Sequence, residues 1–106
     1  MQQYCIILTT TNSRKILDEI INILLDMNLA SCIQIEDIKS YFKWEGKLTS
    51  EKEYRAIIKA KSDNYKKIEE IIVKIHNYEV PQIIKIDIDD GLKAYLNWIS
   101  SEGNGL

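Results

Sequence analysis

The apolar positions of this chain change their spacing from one segment to the next, and each change marks an element. Tyr4-Cys5-Ile6-Ile7-Leu8 is a continuous apolar run followed by the turn and cap residues TTTNS, which is the pattern of a short buried strand. A helical period follows. Ile16, Ile20 and Leu24 form one row four residues apart and Leu17, Ile21 and Leu25 the next, a wide stripe for a core. Asn12 or Ser13 can cap this helix, and Asn28 can end it in the left-handed conformation.

From Ser31 to Ala60 the period is two. Ile33 and Ile35 alternate with Gln34 and Glu36; further on, Ile38, Phe42 and Trp44 alternate with Lys39, Tyr41 and Lys43. The apolar parity switches from odd to even across Glu36-Asp37, which predicts a bulge or bend there. On the return arm Tyr54, Ala56, Ile58 and Ala60 share one face and Glu53, Arg55 and Lys59 the other. Gly46 supplies the positive φ that a tight turn between the arms requires.

Ser62-Asp63-Asn64 then opens a second helix carrying Tyr65, Ile68, Ile71, Ile72 and Ile75. After HNYEVPQ (76–82), Ile84, Ile86 and Ile88 alternate with Lys85, Asp87 and Asp89, a strand with one buried face. Asp89 or Asp90 caps a last helix with Leu92, Tyr95, Leu96 and Ile99, and the end, SEGNGL, reads as loose. The order β-α-β-β-α-β plus a terminal helix predicts an α+β, ferredoxin-like antiparallel sheet with an extended hairpin and its helices on one face. A single domain over 1–102 with a short flexible tail at 103–106 accounts for the whole chain.

The hairpin is too long for one subunit. Each arm of about 13 residues spans roughly 44 Å at ~3.4 Å per residue, whereas the first helix of about 15 residues covers only ~22 Å. The far end carries Phe42, Trp44 and Tyr54, and an apolar edge of that kind calls for other copies of the chain to cover it.

The totals narrow the partners. The chain has 106 residues and a formal net charge of −2, so it offers no basic footprint for nucleic acid. No segment approaches the roughly 20 apolar residues of a membrane span, and the start has no basic region ahead of an apolar one, so membrane insertion is not expected. Two cysteines, Cys5 and Cys32, are too few for a disulfide scaffold and suit a cytoplasmic protein.

Fold alone assigns no function. A soft-metal chaperone of this class needs Cys-x-x-Cys after the first strand, where TTTNS stands. An RNA-binding sheet needs exposed aromatics in its central strands, where EYRAIIKA stands. An acylphosphatase-like enzyme needs a Gly-rich anion loop, and Arg14 has no glycine beside it. No nucleophile–base pair or organic-cofactor motif is visible, so no catalytic residue is assigned and an enzyme is not expected. Cys5 reads as a small buried hydrophobe, and Cys32 as a strand-start thiol with some exposure. The lone His76 either faces the carbonyl end of the second helix or serves as a ligand. Pro81 extends Val80 and stiffens the turn, so Glu79 does not easily form a two-residue metal motif with His76. Glu53 and Lys59 are either exposed strand charges or groups in an oligomer's interior.

Taken together, five segments resemble the CutA divalent-cation tolerance proteins. LASCIQI (29–35) resembles L-A-A-C-V-x-I; SYFKWEGK (40–47) resembles S-x-Y-x-W-E-G-K; EYRAIIKA (53–60) resembles E-x-x-x-x-x-K-T; HNYEVPQ resembles H-P-Y-E-V-P-E; and YLNWI (95–99) resembles Y-L-x-W-I. The resemblance implies a cytoplasmic homotrimer built through the long hairpins, similar in architecture to PII signalling proteins, with no established reaction. It places a divalent metal, copper or zinc, near His76, Cys32 and Glu79, and an intersubunit cleft at Trp44, Glu53, Lys59, Tyr78, Tyr95 and Trp98. The other partners it allows are a small effector and a membrane or stress-response protein. In two places the chain departs from the pattern. Thr9 stands where some members carry a cysteine suited to copper, and Asn77 and Gln82 replace the usual proline and glutamate.

Overall fold

The computed structural model describes residues 3–102. Its elements are β1 (Tyr4–Thr11), α1 (Arg14–Asp26), β2 (Cys32–Trp44), β3 (Lys47–Lys61), a single 3₁₀ turn (Ser62–Asn64), α2 (Tyr65–Ile75), β4 (Ile83–Asp87) and α3 (Lys93–Glu102). The strands form one antiparallel sheet in the order β2-β3-β1-β4, the ferredoxin-like arrangement that the element order predicts. Ser13 is the N-cap of α1, accepting from the Ile16 amide at 3.2 Å. Past the helix end, Asn28 adopts φ +54° and the Leu29 amide turns back to Leu24 O at 3.0 Å.

The two faces of the sheet are covered differently. Cys5 and Ile7 of β1 pair with Ala60 and Ile58 of β3, and all four point toward α1 and α2, whose Leu17, Ile20, Leu24, Ile68 and Ile72 complete a fully buried core. The alternate positions, Tyr4, Ile6 and Leu8 with Lys59 and Ile57, face the other way. There α3 crosses, its Ser100 hydroxyl 2.9 Å from the Tyr4 hydroxyl. The expectation of helices on one face therefore holds for α1 and α2 only.

This second face stays largely bare. Ile84 and Ile86, which the alternation predicts as buried, are 45% and 46% exposed because they pair with Leu8 and Ile6 on that face; Ile83 is the β4 residue that packs on the core. In α3 only Ile99 is buried, and Leu92, just ahead of the helix, lies open. The cap expected of Asp89 or Asp90 is not made: Asp90 binds the Gly91 amide at 2.8 Å, ahead of a helix that starts at Lys93. That helix continues through Ser101 and Glu102, where a loose tail is expected; residues 103–106 lie outside the described residues.

The hairpin is the longest feature of the molecule, whose long axis measures 45 Å. Its register is unbroken from Cys32↔Lys59 to Trp44↔Lys47, so the predicted bulge at Glu36-Asp37 is absent. The parity switch has another cause. β1 ends opposite Tyr54, and from Ile38↔Glu53 outward the hairpin runs on as a two-stranded ribbon without a third strand. Near the base, Ile33 and Ile35 face the helices. In the ribbon, Ile38, Phe42 and Trp44 face the opposite side, because no helix lies beneath. The turn closes with positive φ at both Glu45 (+51°) and Gly46 (+78°), the two-residue geometry that matches strand twist.

Candidate functional site

The strap from His76 to Gln82 links α2 to β4 and crosses the point where the ribbon leaves the sheet. His76 ends α2, yet its ring does not serve the helix carbonyls. Nε2 lies 2.8 Å from the backbone carbonyl of Thr10, and Nδ1 accepts from the Tyr78 amide at 2.9 Å. Since Nδ1 accepts, Nε2 carries the proton and donates to Thr10 O. Both ring nitrogens of this neutral tautomer are thus engaged in folding the strap onto β1.

Tyr78 continues the attachment. Its ring packs at 4.8 Å from that of His76, and its hydroxyl donates to Glu53 Oε2 at 2.7 Å; the other Glu53 oxygen accepts from Ser40 at 2.6 Å. Burial, then the Glu53 carboxylate, push the Tyr78 phenol well above the ordinary tyrosine range. Asn77 makes a parallel tie, accepting from the Thr11 hydroxyl at 2.6 Å and donating to Asn12 Oδ1 at 2.8 Å; Asn12 in turn donates to Glu51 at 2.6 Å. A proline at 77 could make none of these bonds. Sequence reasoning missed Ser40, Glu51 and Asn12, all polar residues in stretches that read as ordinary strand or turn. A signal was available for Glu51, which shares the strand parity of Glu53.

Strap and ribbon enclose a cleft of about 770 Å³. Trp44, Phe42 and Tyr78 give it aromatic walls, and Glu51, Glu53 and Glu79 give it carboxylates. No lysine, arginine or histidine among the described residues lines it.

The predicted site residues do not gather in one place. Trp44, Glu53, Tyr78 and Glu79 line this cleft. Lys59, Tyr95 and Trp98 form a second group under α3, where Lys59 Nζ donates to Gln34 at 2.8 Å and to the Tyr95 hydroxyl at 3.4 Å, and Tyr95 stacks on Trp98 at 5.8 Å. Cys32 pairs with Lys59 at that end of the sheet. Relative to Thr10, the carbonyl that His76 holds, Cys32 lies four residues along the strands, about 13 Å, and two strands across. His76, Cys32 and Glu79 therefore do not converge within one chain. No group of three His, Cys, Asp or Glu side chains suited to a metal ion occurs among the described residues. Thr9, at the position of the cysteine found in some CutA proteins, is 1% exposed with an unpartnered hydroxyl on the core face.

Against known proteins, the model of the family described as "CutA1 divalent ion tolerance protein" matches residues 5–102. The divalent-cation tolerance protein CutA of Pyrococcus horikoshii is 34% identical over 97 residues, covering 92% of this chain and 95% of that one. Among solved structures, a periplasmic divalent cation tolerance protein CutA from Archaeoglobus fulgidus superposes with a TM-score of 0.89 at 34% identity, over 93% of this chain and 97% of that one. CutA1 of a psychrotrophic Shewanella gives 0.91 at 30% identity, over 96% of each chain.

Proposed function

The chain belongs to the CutA1 divalent ion tolerance family, and on that premise we propose that it serves divalent-cation tolerance as a homotrimer whose ribbons are buried against neighbouring copies. One observation carries this reading. The ribbon presents Phe42 at 38% and Trp44 at 62% exposure, and the sheet face on the same side presents Ile84 at 45%, open apolar surface of the kind that assembly covers. Closed cyclic assembly would hide the same surface on every copy.

Within that assembly a copper or zinc ion would be held between subunits, with Glu79 and His76 on one copy and Cys32 from another. The separation of Cys32 from His76 in the single chain supports shared rather than local ligation. Imidazole, thiolate and carboxylate suit either metal. The two unpaired cysteines favour the cytoplasm, although the Archaeoglobus relative is described as periplasmic. No helix among the described residues is long and apolar enough to cross a membrane.

A second reading, a small effector bound between subunits as in PII-like modules, changes sign on this geometry. Lys59 and Trp44, both placed in one intersubunit cleft by the resemblance, stand about 40 Å apart along β2 within one chain. The cleft that holds Trp44 is acidic. Native mass spectrometry of reduced, metal-stripped protein titrated with copper and then zinc tests the primary reading. The expected result is a trimer that takes up one ion per subunit and loses that uptake in Glu79→Gln. A trimer with no specific uptake would sink the metal assignment, and a monomer would sink the assembly.

A further inference from the structure

We propose that the lysine-bearing face of the ribbon docks an acidic segment of another protein in extended form. Past the end of β1 the ribbon has two faces of different chemistry. Ile38, Phe42 and Trp44 lie on the side that assembly covers. The opposite side carries Lys39 and Lys43 of β2 and Lys52 of β3, all exposed, with Asp37 as its one carboxylate. Lysine is depleted where proteins bury surface against each other, so this is the side that a ring of copies leaves to solvent.

The placement of the lysines makes the site. Lys39 stands directly across the ladder from Lys52. Like charges so placed repel, and neither makes an ion pair among the described residues. A carboxylate seated between them removes that repulsion. The pair borders a hollow of about 500 Å³ whose walls include Asn12, Asp37 and Tyr54. Glu53 borders it too, but its carboxylate is held on the opposite face by Ser40 and Tyr78. Arg14, 5.5 Å from the Tyr54 ring centre, is already paired with Asp18 and adds no free charge.

Spacing names the occupant. Lys43 follows Lys39 by four residues, about 13 Å along β2. Between them Tyr41 is 66% exposed, its ring centre 5.5 Å from Lys39 Nζ. In an extended peptide, side chains i, i+2 and i+4 share one face and span the same distance. Acidic residues at i and i+4 therefore meet the Lys39–Lys52 pair and Lys43, and an apolar residue at i+2 lies on Tyr41. Leu48, 79% exposed and opposite Lys43, borders the same row. A uniform polyanion such as nucleic acid fits less well. Asp37, two residues inward of Lys39 on the same face, repels its next charge, and the net charge of the chain repels the rest. A lone phosphate satisfies the lysine pair and leaves Tyr41, Leu48 and Lys43 unused.

The test is fluorescence anisotropy of the full chain with a labelled peptide, Gly-Ser-Glu-Thr-Phe-Thr-Glu-Ser-Gly, against its Gln-for-Glu counterpart and a short labelled single-stranded DNA. The acidic peptide should bind about tenfold more tightly than either comparison and should weaken as salt rises. Lys39→Gln and Lys43→Gln should each weaken it severalfold, whereas Lys66→Gln, at an exposed lysine of α2, should leave it unchanged. Lys52→Glu turns the repelling pair into an attracting one. It should abolish binding with the melting temperature unchanged or raised, so that the loss is not one of folding. No binding of the acidic peptide, equal binding of the glutamine peptide, tighter binding of the DNA, or full binding by Lys52→Glu would each overturn the proposal. Native mass spectrometry separates its failure from that of the broader reading. A trimer that takes up copper or zinc but no peptide loses only the docking face. A chain that binds the peptide as a monomer, or without taking up metal, keeps this face and loses the trimeric metal reading.

Discussion

The hydroxyl of Tyr78 donates to Glu53 at 2.7 Å, joining a connecting strap to the strand position where the ribbon leaves the sheet. The bond spans 25 residues, and the same carboxylate is held from its other side by Ser40. Tyr78→Phe keeps the ring and removes one donor from a part-buried carboxylate, so it should cost about 1–2 kcal/mol. Urea denaturation measures this, and a cost near zero would mean that the bond does not secure the strap.

Alkaline pH probes the same bond from the other direction. Tyr65, which donates to Glu69 at 2.6 Å, has its phenol raised from 10.0 to about 12, chiefly by that hydrogen bond, and Tyr78 is raised by burial and Glu53. Groups that hold their protons more tightly when folded contribute stability fully below the unfolded value of 10.0 and lose it as pH rises through the folded one. Melting temperature should therefore fall between pH 10 and about 12, more steeply in the parent than in a Tyr65→Phe, Tyr78→Phe double variant. Parallel curves for the two proteins would count against both assignments.

His76 has a structural task independent of any metal. Its ring bridges Thr10 O and the Tyr78 amide, so His76→Ala should lower the stability of metal-free protein by about 1–2 kcal/mol. The measurement is denaturation in the presence of a chelator. An unchanged midpoint would return His76 to a purely ligating role.

Thr9 buries a hydroxyl without a partner on the core face, beside Ala56 across the ladder. Thr9→Val matches its shape and removes the orphan group, and should stabilise the protein by about 1 kcal/mol. Loss of stability would reveal a hydrogen bond or water at that hydroxyl.

The ribbon turn should respond to its backbone alone. A Cβ on Gly46 would meet nothing within 4 Å, but φ is +78°, so Gly46→Ala should cost about 1 kcal/mol through strain. Glu45→Asn, placing a residue tolerant of positive φ at +51°, should recover a few tenths. Opposite signs in thermal denaturation would show that the turn relaxes into another form.

Much of this was readable before the fold was known, because most elements bury one face against α1 and α2 and so carry a clean period. The α1 rows, the β3 alternation and the need for Gly46 are of that kind. Other features escaped for physical reasons. The parity switch in β2 read as a bulge because one covered face was assumed throughout, whereas the strand changes its apolar side with no break in register. Ile84 and Ile86 looked like core because they alternate with Lys85 and Asp87, yet they lie on the sheet face that α1 and α2 do not cover. The strap's attachments depend on side chains 25 to 66 residues apart, and no local spacing encodes such pairs. The motif residues recovered from family resemblance divide between two ends of the sheet, a division that only the register reveals.

The unbroken register also constrains how this ribbon can change over evolutionary time. A one-residue insertion or deletion in either arm would exchange the two faces from that point to the turn, presenting Tyr41 or Lys43 where Phe42 now lies. A change that keeps both the faces and the Glu45-Gly46 turn must remove or add two residues on each arm together. Ribbon length is in that sense quantised, and relatives with longer or shorter ribbons should differ in steps of four residues, in keeping with the two-residue repeat of a strand.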